Sequence, residues 1–137
     1  MAFNVPKCDL VLIYILYIRS IIEQSCVVWG PSITESEASA LERVQKCSLR
    51  LIYGSEYISY NHALTVSGLS DLSSRRVKLL QKFADQCIKN EATRFMFPLN
   101  ESSVSTTHHE KYKVQMAHHS RLKKSPIIAM SEYLNTQ

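Results

Sequence analysis

Turn formers are scarce in this chain. Its 137 residues include 3 glycines and 4 prolines, too few for the repeated tight turns of a β-sandwich or barrel. The four cysteines, Cys8, Cys26, Cys47 and Cys87, form no Cys-x-x-Cys pair, which argues against a zinc ribbon or a dithiol redox motif. They read as buried free thiols of a reducing compartment, with Cys47 and Cys87 set among apolar helical positions. No G-x-S-x-G elbow, Walker sequence or glycine-rich phosphate loop occurs, so the common hydrolase and nucleotide-binding classes have no foothold. A bilayer-spanning apolar run is also missing. Leu10–Ile18 is an unbroken apolar stretch of 9 residues, well short of the roughly 20 needed to cross a membrane. Asp9 precedes it and no small-x-small cleavage site follows, so it reads as a core helix rather than a signal peptide. The expected setting is intracellular, cytoplasmic or nuclear.

What is present fits one small globular fold. The apolar fraction is 45% and the charged fraction 20%, too apolar for a fully disordered chain. The net charge of +4 is unevenly placed: residues 1–70 hold 5 Lys/Arg against 6 Asp/Glu, and residues 71–137 hold 11 against 6. A basic half is compatible with phosphate backbones and equally with an ordinary solvated surface.

Helical periodicity dominates the first hundred residues. A first helix is expected from about Cys8 to Trp29, with Asp9 as a cap for its start and Gly30-Pro31 as its stop. The phrase Thr34-Glu35-Ser36-Glu37 is a capping-box sequence for a second helix. That helix would carry Leu41, Val44, Ser48, Leu51 and Ile52 as its apolar stripe and close at Tyr53-Gly54. A short helix follows over 60–67, with Ser59 as cap and Gly68 as stop. A fourth opens at Asp71 and runs to about Asn90, with Val77, Leu80, Phe83, Ala84, Cys87 and Ile88 on its apolar side. After Phe97-Pro98 the pattern turns polar: 100–107 reads as a linker, and order is expected again near Ile127–Leu134. Asn100-Glu101-Ser102 matches a glycosylation sequon that an intracellular setting leaves idle. The fold class is therefore all-α, a small helical bundle over residues 1–98 with a polar, basic, partly disordered C-terminal tail over 99–137.

Two features imitate chemistry. Phe83-Ala84-Asp85-Gln86 resembles the Phe/Tyr-Ala-Asp-Asp box whose paired aspartates hold metal in polymerases. Gln86 brings no negative charge, however, and the segment has helix periodicity, so it reads as one turn of a core-facing helix. The pairs His108-His109 and His118-His119 lack the spacing of a zinc site. No catalytic residue, metal or cofactor is expected, and the chain does not read as an enzyme. The best functional feature is a basic stripe: Arg43, Lys46 and Arg50 recur at steps of three and four and share a helix face. Such a row can follow a phosphate backbone or merely be a solvated surface. Arg75-Arg76 is a second candidate. Trp29 and the tyrosines read as core residues rather than as base-stacking platforms.

A series of phrases carries a resemblance. Tyr14-x4-Arg19-Ser20-x2-Glu23-x5-Trp29-Gly30-Pro31, then Leu41-Glu42-Arg43-Val44-Gln45-Lys46-Cys47-x2-Arg50-x-Ile52-x-Gly54, and finally Arg121-x-Lys123-Lys124-Ser125 with Leu134-Asn135, occur in that order. Together they resemble the helical region downstream of the polymerase motifs in jockey-like non-LTR retrotransposon reverse transcriptases. Gln24 stands where that family has a tyrosine, and Ser125-Pro126-Ile127 reorders its closing phrase. The resemblance implies a thumb-like helical region that grips RNA or an RNA–DNA duplex by its backbone. It also implies a catalytic palm preceding Met1, outside this chain. Arg43, Lys46, Arg50, Arg75 and Arg76 become the implied nucleic-acid contacts. The alternatives are a helical protein-interaction module, in which the first helix meets the palm or another protein partner or self-associates, and a functionless decayed retroelement product. No membrane partner is expected.

Overall fold

In the computed structural model, residues 5–100, 111–116 and 118–136 are described. The chain is all-α, and no β-strand forms among the described residues beyond an isolated bridge between Leu99 and Tyr112. No single helix among them is long and apolar enough to cross a membrane.

The first helix is not one regular spiral. α1 (Lys7–Ile13) passes into a π-helical stretch, Tyr14–Arg19, and then into α2 (Ser20–Glu23). Asp9 lies in the first turn rather than at the cap, where the amide dipoles still favour its charge. The expected continuation to Trp29 is interrupted at Gln24 and Ser25. Ser25 takes a φ of 54°, a left-handed conformation uncommon outside glycine. The chain resumes as α3 (Cys26–Trp29), followed by a 3₁₀ turn over Gly30–Ser32. The helix therefore breaks at Ser25, while α3 still ends before Gly30, which opens the 3₁₀ turn.

The later helices follow their caps closely. α4 (Glu35–Tyr53) begins at Thr34, whose hydroxyl accepts from the Glu37 amide while the Glu37 carboxylate accepts from the Thr34 amide. Gly54, at a φ of 52°, ends it and leads into a 3₁₀ turn, Gly54–Glu56. α5 (Tyr60–Ser67) has Ser59 accepting from the His62 amide and Gly68 in the left-handed region at its end. α6 (Leu72–Lys89) starts where Asp71 accepts from the Ser74 amide. It contains Phe83-Ala84-Asp85-Gln86 as helix, with Ala84 buried. Short helices α7 (Glu91–Arg94) and α8 (Ser120–Lys123) and the longer α9 (Pro126–Asn135) complete the order.

Two compact units emerge. The first comprises 1–26 and 33–76, the second 27–32 and 77–137. The boundary expected at residue 98 falls inside the second unit.

In the first unit, Leu49, Tyr53 and Ala63 are buried with Ile52, Tyr57, Leu64 and Leu69 packed around them. Burying a side chain such as Leu49 contributes about 2 kcal/mol. The inward face of α4 is Gln45, Ser48, Leu49 and Tyr53. Leu51, expected on the apolar stripe, is among the most exposed apolar side chains, and Val44 is also exposed.

In the second unit, Ala84, Cys87, Phe97, Tyr112, Met130 and Leu134 form an apolar core. α9 is therefore packed, with Ile128, Met130 and Leu134 buried, and is no extension of a polar tail. Asn135 secures it: its carboxamide accepts from the Tyr112 amide at 2.8 Å and donates to the Tyr112 carbonyl at 2.9 Å. Of the expected free thiols, Cys26 and Cys87 are buried, whereas Cys8 and Cys47 are exposed. The 101–107 part of the expected linker and the pair His108-His109 lie outside the described residues, while His118 and His119 are exposed.

Candidate nucleic-acid interface

Arg43, Lys46 and Arg50 are all exposed on α4. The capping box and the uninterrupted 19-residue helix hold their spacing. None of the three is ion-paired with a described carboxylate. Two of them rest on aromatic rings: the Lys46 ammonium lies 5.0 Å from the centre of the Tyr60 ring, and the Arg50 guanidinium 5.4 Å from that of Tyr57. Both distances fall within cation–π range, worth roughly 0.5–1 kcal/mol at an exposed site. A guanidinium lying on a ring keeps its in-plane N–H donors available to an anion. The rings thus restrict the cations without consuming their donors.

Tyr57 packs against the Leu49, Tyr53 and Ala63 cluster, and Tyr60 is fixed from below by a buried polar network. Gln45 is fully buried. Its carbonyl accepts from the Tyr14 hydroxyl at 2.7 Å, and its amide donates to Tyr60 Oη at 2.8 Å and to the Ser70 carbonyl at 3.0 Å. The Tyr60 hydroxyl donates to Glu42, whose carboxylate also accepts from the Leu72 amide at 3.1 Å. One carboxylate therefore caps α6 and anchors the ring beneath Lys46. Burial pushes the Tyr14 phenol up to about 12, and burial with the Glu42 hydrogen bond raises Tyr60 further. Both stay protonated and able to donate across the physiological range.

The second candidate pair is placed differently. Arg75 donates through Nε to Glu23, which also lies 3.6 Å from Arg19 Nε. The Glu23 hydrogen bond raises the Arg75 pKa. Burial, together with the charge of Glu23, raises the nearby Cys26 thiol. Arg76 is half-buried, with Nη1 enclosed and without a hydrogen-bond partner among the described residues. It borders a cavity of about 360 Å³ with Glu35, Glu42, Tyr60 and Asp71. Arg75 and Arg76 are thus built into the fold more than the α4 stripe is.

Sequence reasoning found the stripe but not Tyr57 and Tyr60 beneath it, nor Glu42 and Gln45 behind them. A usable signal was the Ser59 cap, which makes Tyr60 the first residue of α5. No group of three metal-ligating side chains occurs among the described residues. Comparison of the chain with protein-family models, characterised proteins and solved structures yields no match.

Proposed function

We propose that the chain binds nucleic-acid backbones without catalysis, through Arg43, Lys46 and Arg50, in the manner of the reverse-transcriptase thumb region that its sequence resembles. The observation that carries this reading is the exposed row of three cations on one face of α4, unpaired with any described carboxylate, two of them, Lys46 and Arg50, steadied by Tyr60 and Tyr57. A solvated helix needs no such underpinning. The net charge of +4 adds a general attraction to polyanions, and backbone contacts of this kind position a protein without reading sequence. Arg75 and Arg76 are secondary contacts at most in this reading, since Arg75 is engaged by Glu23.

Fluorescence anisotropy of a labelled RNA–DNA duplex across a salt series tests it. Each neutralised phosphate releases counterions, and affinity falls with a log–log slope near −0.9 per contact on B-form DNA. The variant Arg43→Gln/Lys46→Gln/Arg50→Gln keeps helix propensity and should flatten that slope by about two to three units with unchanged circular dichroism. An unchanged slope in a folded variant would leave the stripe a solvated surface.

A further inference from the structure

α4 carries an apolar line on its outer side. Val44 and Leu51, expected to face the core, are 42% and 83% exposed, and Ala40 and Cys47 are exposed on the same line. Ala40, Val44, Cys47 and Leu51 follow one another at steps of four, three and four. On a helix that spacing is the narrow apolar seam of a coiled coil, here about 16 Å long. Glu37 stands where the seam would continue toward the N-terminus, and its carboxylate is held by the Thr34 amide and hydroxyl. The seam therefore starts at Ala40.

The two edges of the seam differ. Arg43 and Arg50 come directly before Val44 and Leu51, at the positions from which a coiled-coil helix pairs its charges with those of a partner. Both are exposed, and neither is ion-paired with a described carboxylate. On the other edge Leu41 is half-buried and Ser48 is buried, so the chain's own packing closes that side. The complement of this surface is apolar along its centre and acidic along one flank. A phosphate backbone would meet the arginines and leave Val44 and Leu51 in water. Insertion among lipid headgroups calls for a broad apolar face, whereas this seam has only coiled-coil width. A second copy would set its own arginines against these in antiparallel pairing, and would offer them no charge in parallel pairing.

We infer that the outer seam of α4 docks an acidic amphipathic helix of another protein, its apolar line on Val44, Cys47 and Leu51 and its carboxylates facing Arg43 and Arg50. Such a partner is additional to the nucleic-acid backbone: the two share the arginines, but only the helix covers the seam.

Fluorescence anisotropy with a labelled three-heptad peptide is the test. The probe carries Ile at a, Leu at d and Glu at e and g, and its glutamates keep it from pairing with itself. The full chain should bind it 1:1 with an affinity on the order of micromolar. Leu51→Gln, exposed and neutral, should weaken the complex roughly tenfold or more. Arg43→Glu/Arg50→Glu should lose the Glu peptide and gain the same peptide with Lys at e and g. Circular dichroism checks the fold of each variant. A chain that ignores the Glu peptide at high micromolar concentration would overturn the inference. So would equal binding of a Glu peptide with Ser at a and d, which would reduce the contact to charge alone, or a complex indifferent to Leu51→Gln. Wild-type dimers, or co-sedimentation with phosphatidylcholine–phosphatidylserine vesicles, that Leu51→Gln abolishes would assign the seam to another occupant and overturn it too. Leu51→Gln keeps all three cations of the stripe, so its duplex affinity should be that of wild type; a parallel loss of duplex binding would make the seam part of the polyanion surface and sink the helix partner.

Discussion

The two compact units are held together by different means. The first is organised around a buried polar network, in which Tyr14, Glu42, Gln45 and Tyr60 exchange directed hydrogen bonds between elements far apart in sequence. The second is organised around apolar volume, with Phe97, Tyr112, Met130 and Leu134 filling the space beside Ala84 and Cys87. Directed bonds fix register, because each buried donor has one acceptable acceptor and an orphaned group is costly. Apolar filling is less particular about geometry and more sensitive to volume. The unit bearing the basic stripe is thus the one whose side chains are most narrowly positioned, as a surface presenting ordered cations requires.

Substitutions can break this contrast. The largest loss is expected at Phe97, which is nearly fully buried. Phe97→Ala should cost about 3–5 kcal/mol by emptying a packed site, as measured by urea denaturation. No polar second change should rescue it. In the first unit, Gln45→Leu keeps volume but orphans the buried Tyr14 hydroxyl and the Ser70 carbonyl. A loss of about 2–3 kcal/mol is expected. Here a second change should help: Tyr14→Phe added to Gln45→Leu should recover about 1 kcal/mol, because removing both partners leaves no stranded donor. If the double variant were merely the sum of its singles, the network would not be acting as a unit.

How far the sequence was readable follows the same division. Local chemistry was legible: the Thr34–Glu37 box, the Ser59 cap, the Gly68 stop and the spacing of Arg43, Lys46 and Arg50 all depend on residues a few positions apart. Gln45 was not, because a glutamine between Arg43 and Lys46 has the local signature of a surface position. Its burial depends on partners 15 to 31 residues away. Arg75 is held by a carboxylate 52 positions earlier, which no helical periodicity could indicate. Leu51 was misplaced because the inward face of α4 is centred on Gln45, a polar residue that an apolar stripe would pass over. The packing of α9 was only half legible. Its apolar residues suggested order, but the partners that bury them, Cys87, Phe97 and Tyr112, come from other segments.

The smallest expected effect separates the units by pH. Hydrogen bonds from the Thr34 amide and hydroxyl hold the Glu37 carboxyl below the ordinary glutamate range. A carboxyl depressed in the folded state favours folding most when it is ionised in both states, above its unfolded pKa. That contribution fades as pH falls through the unfolded value and then the folded one, so the window opens near pH 5 and extends downward, given an unfolded glutamate near about 4.3. Glu37→Gln can still reach the Thr34 amide but has no charge to lose. The stability difference between wild type and Glu37→Gln should therefore be present at neutral pH and shrink in acid, as followed by urea midpoints in a series of buffers. The difference between wild type and Phe97→Ala, which removes no titrating group, should stay nearly constant over the same range. If the Glu37→Gln difference were equally flat, the capping box would be a neutral hydrogen-bonding device and the helix N-terminus would draw nothing from the charge.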